Sequence, residues 1–249
     1  MIDLHFHCLP GIDDGPDTWD EAVELCRAAA AEGTETIVAT PHVLRDRWIN
    51  DDPAARDRLI LRLNALLGGR PAIVAGCEYY FAADAVELWE RGSAGPLVAL
   101  NRGSALLIEF PSYAVPPQAE SVFHELSILG VTPVIAHPER NIDMAQNPDR
   151  LAKLVARGAL VQITAGSLLG EFGRNALAAS EAFFSKRLVH FVASDAHSLA
   201  RRPPRLASAR QWVAKRWGKA AEADLFDKNP AAVVQRTPVA TADGGSAKA

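Results

Sequence analysis

Apolar and polar positions along the chain alternate between two textures. Short runs that are apolar at every second residue, or nearly throughout, recur seven times: IDLHFH at the start, then TETIVAT, PAIVAG, SALLIEF, VTPVIAH, ALVQIT and LVHFVASD. Runs of this length, rich in Val, Ile and Leu and bounded by Gly, Pro or polar residues, predict β-strands. Between them lie longer stretches with apolar residues three and four apart, which predict helices. Thr18 with Glu21 three residues on forms a capping box ahead of the first helix, and Gly33 ends it. ARDRLILRLNALL is helical, a weaker helix runs from about Ala83 to Glu90, and PPQAESVFHELSILG opens on prolines and stops at Gly130.

Seven strands joined by crossovers long enough for helices describe parallel βαβ units. A closed or nearly closed α/β barrel accommodates all seven in one domain, with a doubly wound open sheet as the competing arrangement. Past Arg205 the pattern is helical with a break at Asn229-Pro230, and from Thr237 the chain turns small and polar. Residues 1–236 are therefore expected to form the domain and 237–249 a disordered tail.

Composition narrows the function classes. The 249 residues are 49% apolar and carry a formal net charge of −4, with no basic stripe, so nucleic acid is not an expected partner. No apolar run nears the ~18 residues that span a bilayer, and the N-terminus lacks the features of an export signal. A cytoplasmic protein without direct membrane insertion is expected. Cys8, Cys26 and Cys77 are odd in number and scattered, as reduced core thiols are.

The chemistry-bearing residues cluster at the ends of the apolar runs. His5 and His7 end the first, with Asp13 and Asp14 in the following loop; His42 follows the second, Glu78 the third, and Glu109 ends the fourth. His137 ends the fifth, and Asp195 and His197 end the seventh. In a parallel barrel these C-terminal ends share one rim, where such folds place their active sites. Alternation puts both imidazoles of His5-Phe6-His7 on one side of the strand and Phe6 on the other. Five of the seven histidines lie on the rim, and imidazoles with carboxylates but no thiolate suit several divalent ions. His124 and His190 fall elsewhere and are expected to be structural. Asp13 either orients a histidine or serves the turn between Gly11 and Gly15.

HxHxxPGIDDG, TPH, the isolated Glu78, IEFP, AHPER and SDAH followed by RRPP together resemble the PHP (polymerase and histidinol phosphatase) family. They resemble more narrowly its bacterial tyrosine-protein phosphatases, enzymes of capsule and exopolysaccharide systems. The resemblance runs from Met1 to about Val234 and implies a distorted seven-stranded barrel with three divalent ions, Mn²⁺ or else Fe or Zn. It implies that His5, His7, Glu109 and Asp195 hold the first ion, Glu78, Glu109 and His137 the second, and Asp14, His42 and His197 the third. It also implies hydrolysis of phosphotyrosine, on a protein such as the tyrosine kinase of a polysaccharide export system. Arg140 in HPER and Arg202 in RRPP stand beside rim ligands, where guanidinium forks suit phosphoryl oxygens.

A cysteine phosphatase is excluded, because the residues six beyond the cysteines are Asp14, Glu32 and Ala83 where that chemistry needs Arg. The first lysine is Lys153, inside a helical pattern, which argues against a lysine-bridged amidohydrolase. Histidinol phosphate or another small phosphomonoester is the rival substrate, and a metal-holding protein without catalysis is the rival from another class. The loop after His42, VLRDRWIND, departs from the family pattern, as does Phe6 between the histidines.

Overall fold

The computed structural model describes residues 1–239. Its strands are β1 (Ile2–Phe6), β2 (Thr36–Ala39), β3 (His42–Val43), β4 (Ala72–Ala75), β5 (Glu78–Tyr80), β6 (Ala105–Glu109), β7 (Thr132–Ala136), β8 (Leu160–Thr164) and β9 (Phe191–Ala193). Its helices are α1 (Trp19–Ala31), α2 (Pro53–Leu67), α3 (Ala85–Glu90), α4 (Ala119–Ile128), α5 (Ile142–Gln146), α6 (Pro148–Ala156), α7 (Ala165–Leu168), α8 (Gly173–Ser185), α9 (Leu206–Ala223) and α10 (Asn229–Val234). Each apolar run is a strand, and every pairing between strands is parallel.

The strands do not make one closed seven-stranded sheet. They form a three-stranded sheet, β1-β2-β4, and a six-stranded one, β3-β5-β6-β7-β8-β9. The division has a local cause. Between β2 and β3 stands Pro41, which has no N–H for a ladder, and between β4 and β5 stand Gly76 and Cys77. A Cβ at Gly76 would lie 2.8 Å from Val38 Cγ1, so the bend there needs a residue without one. Hydrogen bonds still join the end of β1 in the small sheet to the segment after β9 of the large one: Asp195 N–H donates to His5 O and His7 N–H donates to Ala196 O, both at 2.9 Å.

The capping box forms as expected, Thr18 Oγ1 accepting from Glu21 N and Glu21 Oε2 accepting from Thr18 N–H. The prolines ahead of α4 stay outside the helix, which Gln118 caps. Pro230 sits in the first turn of α10, where a missing N–H costs nothing, and the break before it is one π-helical turn, Asp224–Lys228.

The apolar core has three parts. Helices α1 and α2 cover the small sheet through Leu25, Cys26, Ile60 and Leu63, with Phe6 fully buried among them and so turned from the histidines' side. Helices α3 to α9 cover the large sheet around Phe110, Phe123 and Phe183. A third cluster, with Leu4, Val38, Leu107, Val134, Leu160 and Phe191, is closed by Val233 of α10 and by Val239. Val239 is 4% exposed and Thr237 N–H bonds Ala232 O, so the start of the expected disordered tail is packed, because an apolar residue there covers the core. Residues 240–249 of that tail lie outside the described residues. None of the described helices is long and apolar enough to cross a membrane.

Candidate metal centre

The C-terminal ends of β1, β6, β7 and β9 and the first residues of β3 and β5 converge, and every side chain that the sequence marked there meets at one place. His5 and His7 are fully buried, and each has one ring nitrogen committed. His5 Nδ1 lies 2.9 Å from Gln162 Oε1, and His7 Nδ1 lies 2.8 Å from Asp13 Oδ2. Both partners accept, so both Nδ1 atoms carry the proton and both Nε2 atoms turn a lone pair inward. Those two Nε2 atoms stand 3.1 Å apart, within 3.6 Å of Asp195 Oδ1 and with Glu78 oxygens at 3.4 Å. Imidazole nitrogens and carboxylates facing one another in the interior need a proton or a metal cation between them.

The remaining donors complete the ring. His42 Nδ1 is 2.8 Å from Glu78 Oε2, and its Nε2 is 3.3 Å from Asp14 Oδ1. His197 Nε2 is 3.2 Å from the same Asp14 oxygen, and His137 Nε2 is 2.9 Å from Glu78 Oε1. Four sets place donor atoms within a single ion's reach: His7, Asp14, His42 and His197; His5, His137 and Asp195; His5, His7 and Glu78; and His42, Glu78 and Glu109. Three buried atoms of these residues, Glu78 Oε2, Glu109 Oε2 and His197 Nε2, have no aligned hydrogen-bond partner. Such unfilled acceptors, with hard oxygen and borderline nitrogen donors and no sulfur, fit divalent cations.

The sets differ from the expected grouping in several respects: His137 stands with His5 and Asp195 and not with Glu78 and Glu109, and His42 joins Glu78 as well as Asp14. Glu109 stands with His42 and Glu78 and not with His5 and His7, where Glu78 takes its place. Arg45 stands on that side: its Nη1 forms an ion pair with Glu109 Oε2 at 2.6 Å, without hydrogen-bond alignment, and donates to His42 Nε2 at 3.1 Å. Asp14, His42 and His197 stand together as expected, joined by His7.

Charge is strongly coupled here. Burial alone would lower His5 and His42, but the Glu78 carboxylate outweighs it, aided by Asp195 and by Asp14 respectively, and pushes them up to about 9 and about 10. Burial and the neighbouring Glu78 raise Glu109 to about 7. Burial and the Arg140 charge lower His137 to about 4, and burial with His7 does the same to His197. A cluster that keeps protons on some imidazoles and strips them from others lets a bound cation displace the former.

Backbone strain marks the same place. His137 at φ +31°, directly after β7, and Asp195 at φ +53°, two residues past β9, both lie in the left-handed region, an unusual conformation for residues with a Cβ. Gly15 is required for another reason: a Cβ there would lie 2.7 Å from His7 O. Asp13 carries both roles: its Oδ2 pairs with His7 Nδ1 and accepts from the His42 N–H at 3.2 Å, while its Oδ1 accepts from the Gly15 N–H at 3.0 Å and closes the turn.

Arg140 and Arg202 both donate from Nη1 to one atom, Asp195 Oδ2, at 2.6 and 2.9 Å. The guanidinium of Arg140 also lies 4.6 Å above the Phe172 ring. His190 is buried and accepts from Val161 N–H, and His124 lies on α4; neither reaches the centre. The three cysteines are free and buried.

Gln162, Arg45 and Trp48, which stacks on His42 at 5.1 Å, join the site without having been singled out as site residues. Gln162 had a signal, being the one polar residue in the middle of an otherwise apolar strand. Arg45 and Trp48 lie in VLRDRWIND, and the departure of that loop from the family pattern was their one signal. Beside Asp14 and His197 the surface opens into a cleft of about 510 Å³ lined in part by Asp17, Glu21, Glu24 and Arg47.

A model of the family described as "Capsular polysaccharide synthesis, CpsB/CapC" matches residues 1–235. The chain is 41% identical over 212 residues to the tyrosine-protein phosphatase YwqE of Bacillus subtilis, covering 81% of this chain and 79% of that protein. It is 31% identical over 241 residues to the tyrosine-protein phosphatase CpsB of Streptococcus pneumoniae, covering 94% and 98%. A crystal structure from work on YwqE and CpsB, described as "unique metal-dependent tyrosine phosphatases", superposes with a TM-score of 0.92 at 35% identity over the whole of both chains. An organophosphorus hydrolase from Deinococcus radiodurans shares the fold, with a TM-score of 0.59 at 15% identity over 94% of this chain and 92% of that one.

Proposed function

The chain belongs to the CpsB/CapC capsular polysaccharide synthesis family, and on that premise we propose that it is a metal-dependent tyrosine-protein phosphatase. The observation that carries the reading is the pair of Nε2 atoms 3.1 Å apart in His5 and His7, each turned inward by a partner on its Nδ1. We assign His5, His7, Asp14, His42, Glu78, Glu109, His137, Asp195 and His197 as ligands of three divalent ions, with Mn²⁺ the expected metal. The fold that fits this site is a distorted seven-stranded barrel. Supporting it are the hydrogen bonds that cross between the sheets and the short breaks that separate β2 from β3 and β4 from β5.

When bound, the ions supply a water acidic enough to attack phosphorus at neutral pH and neutralise phosphoryl charge. The chain's own groups do the rest. Gln162 and Asp13 hold the two imidazoles in the tautomer that ligates. Arg140 and Arg202 bring two guanidiniums to Asp195, the edge where phosphoryl oxygens would accept their remaining donors. The water oxygen bonds to phosphorus as the bond to the phenolic oxygen breaks. Phenolate, whose conjugate acid has a pKa of ~10, departs without a strong general acid and takes its proton from solvent. The substrate class is protein phosphotyrosine, with the tyrosine kinase of a polysaccharide export system as the partner and the cytoplasm as the location.

The test compares phosphotyrosine peptides, phosphoserine peptides and histidinol phosphate on protein of measured metal content. Chelation should abolish phosphotyrosine hydrolysis, Mn²⁺ should restore it, and a thiol alkylator should leave it intact. Turnover that persists after complete metal removal overturns the reading, and preference for histidinol phosphate replaces it with small-molecule phosphatase activity.

A further inference from the structure

Arg45 repeats, on another carboxylate, what Arg140 and Arg202 do on Asp195. Each of the three anchors through Nη1 to a carboxylate of the centre, at 2.6, 2.6 and 2.9 Å. Their side chains are alike in exposure, at 25, 26 and 26%, partly sunk and partly open. The guanidinium carbons of Arg45 and Arg140 each lie over an aromatic ring, 5.6 Å from the Tyr80 centroid and 4.6 Å from that of Phe172. The Nε of Arg45 is buried and has no hydrogen-bond partner. A guanidinium has five N–H donors, and leaving a buried one unmade is costly unless something else accepts it.

The loop that carries Arg45 is built to hold it there. Leu44, Asp46 and Asn50 have φ of +55°, +48° and +43°, and the backbones of Arg45 and Trp48 pair with each other in both directions. Asn50 ties the loop down, its Nδ2 donating to Ile12 O and to His42 O at 2.9 and 2.8 Å. Trp48 lies against the His42 ring, 17° from parallel. Strain of this kind persists only where the surroundings fix it.

We propose that Arg45 is a third phosphoryl-binding guanidinium, meeting the oxyanion from the β3 side while Arg140 and Arg202 meet it from the ends of β7 and β9. The inference rests on the phosphatase reading above. Arg45 touches Glu109 and His42 through Nη1 and faces Asp46 Oδ2 at 3.9 Å through its buried Nε, which leaves Nη2 as the donor for a phosphoryl oxygen. The same three arginines accept the phosphate of the substrate and the inorganic phosphate that is released.

The test uses full-length, Mn²⁺-loaded protein and its Arg45→Ala, Arg45→Gln and Arg45→Lys variants, with inorganic phosphate as the probe and a small aryl phosphate as substrate. Metal content and thermal melting are measured on each. In Arg45→Ala and Arg45→Gln, KM and the inhibition constant of phosphate should rise together by about tenfold, the worth of one charge-assisted hydrogen bond, at unchanged metal content. Lysine should recover part of the phosphate affinity. An unchanged phosphate inhibition constant overturns the proposal. So does a loss of metal that excess Mn²⁺ cures, since Arg45 would then only position Glu109. Turnover of the wild-type protein tests the phosphatase reading separately, because the Arg45 result is a ratio of variant to wild type.

Discussion

Replacing Asp13 with alanine isolates the contribution of imidazole orientation to the centre, because Asp13 is buried and is not itself a proposed ligand. Its Oδ2 accepts from His7 Nδ1 at 2.8 Å and from His42 N–H at 3.2 Å, and its Oδ1 accepts from Gly15 N–H at 3.0 Å. Without it His7 is free to rotate or to carry its proton on Nε2, and groups in this position are worth about 10- to 100-fold in metal affinity. Two backbone N–H groups also lose their acceptor, at roughly 1–3 kcal/mol each. The cleft beside Asp13 admits water to the gap, so the low end applies, about 2 kcal/mol in total. In a chain of this size that is a fall of about 4–8 °C in melting temperature.

Asparagine separates the two effects: its carbonyl can still accept from His7, but its amide cannot accept from Gly15. Asp13→Asn should therefore keep metal affinity within about tenfold of wild type while losing stability. Burial would raise the Asp13 carboxyl, but the charge and hydrogen bond of His7 outweigh it and hold it below its ordinary value. The stabilisation it provides is then complete above about pH 4, its unfolded pKa, and drains away as pH falls further, so the wild-type and alanine curves should converge in acid. Chelator-competition titration and denaturant unfolding measure the two quantities. Wild-type metal affinity in Asp13→Ala would refute the account of how the first two histidines are aimed.

The other expectations concern the arginines and a histidine far from the centre. Arg140→Ala and Arg202→Ala should each lower turnover on a phosphotyrosine peptide by about 100- to 1000-fold, with lysine a poor substitute; near-wild-type rates would remove them from the phosphoryl site. His190 is held by burial at about 4, below its unfolded value, so it protonates on unfolding and stability declines as pH falls from about 6.5 to about 4. His190→Asn keeps an acceptor for Val161 N–H and should flatten that decline by up to about 3 kcal/mol in denaturant unfolding across this range. An unchanged slope would show that the imidazole does not titrate there.

What the sequence disclosed follows from how far each signal reaches. The strands were legible because each is an apolar run, and the rim residues because they end those runs in pairs and short motifs. β3 and β5 were not, since three residues or fewer carry no periodicity, and the divided sheet depends on the bend at Gly76 against Val38, a contact between distant segments. Gln162 was hidden in plain sight: its strand is buried throughout, so a polar residue within it needed a partner, but only the fold reveals that the partner is His5. The loop carrying Arg45 stood out as atypical, but the direction of the side chain could not be read, because it is set by left-handed residues that no pattern of polarity encodes.

Asp195 divides its two oxygens, Oδ1 toward His5 and His7 and Oδ2 toward Arg140 and Arg202. The second oxygen is an anion already sitting on the arginines, so an arriving phosphoryl group competes with the protein itself for their donors. That rivalry weakens substrate and inorganic phosphate alike, since both must share the same donors. The arrangement thus trades ground-state affinity for phosphate against ready release of the product, and leaves the donors to be won by the more highly charged transition state.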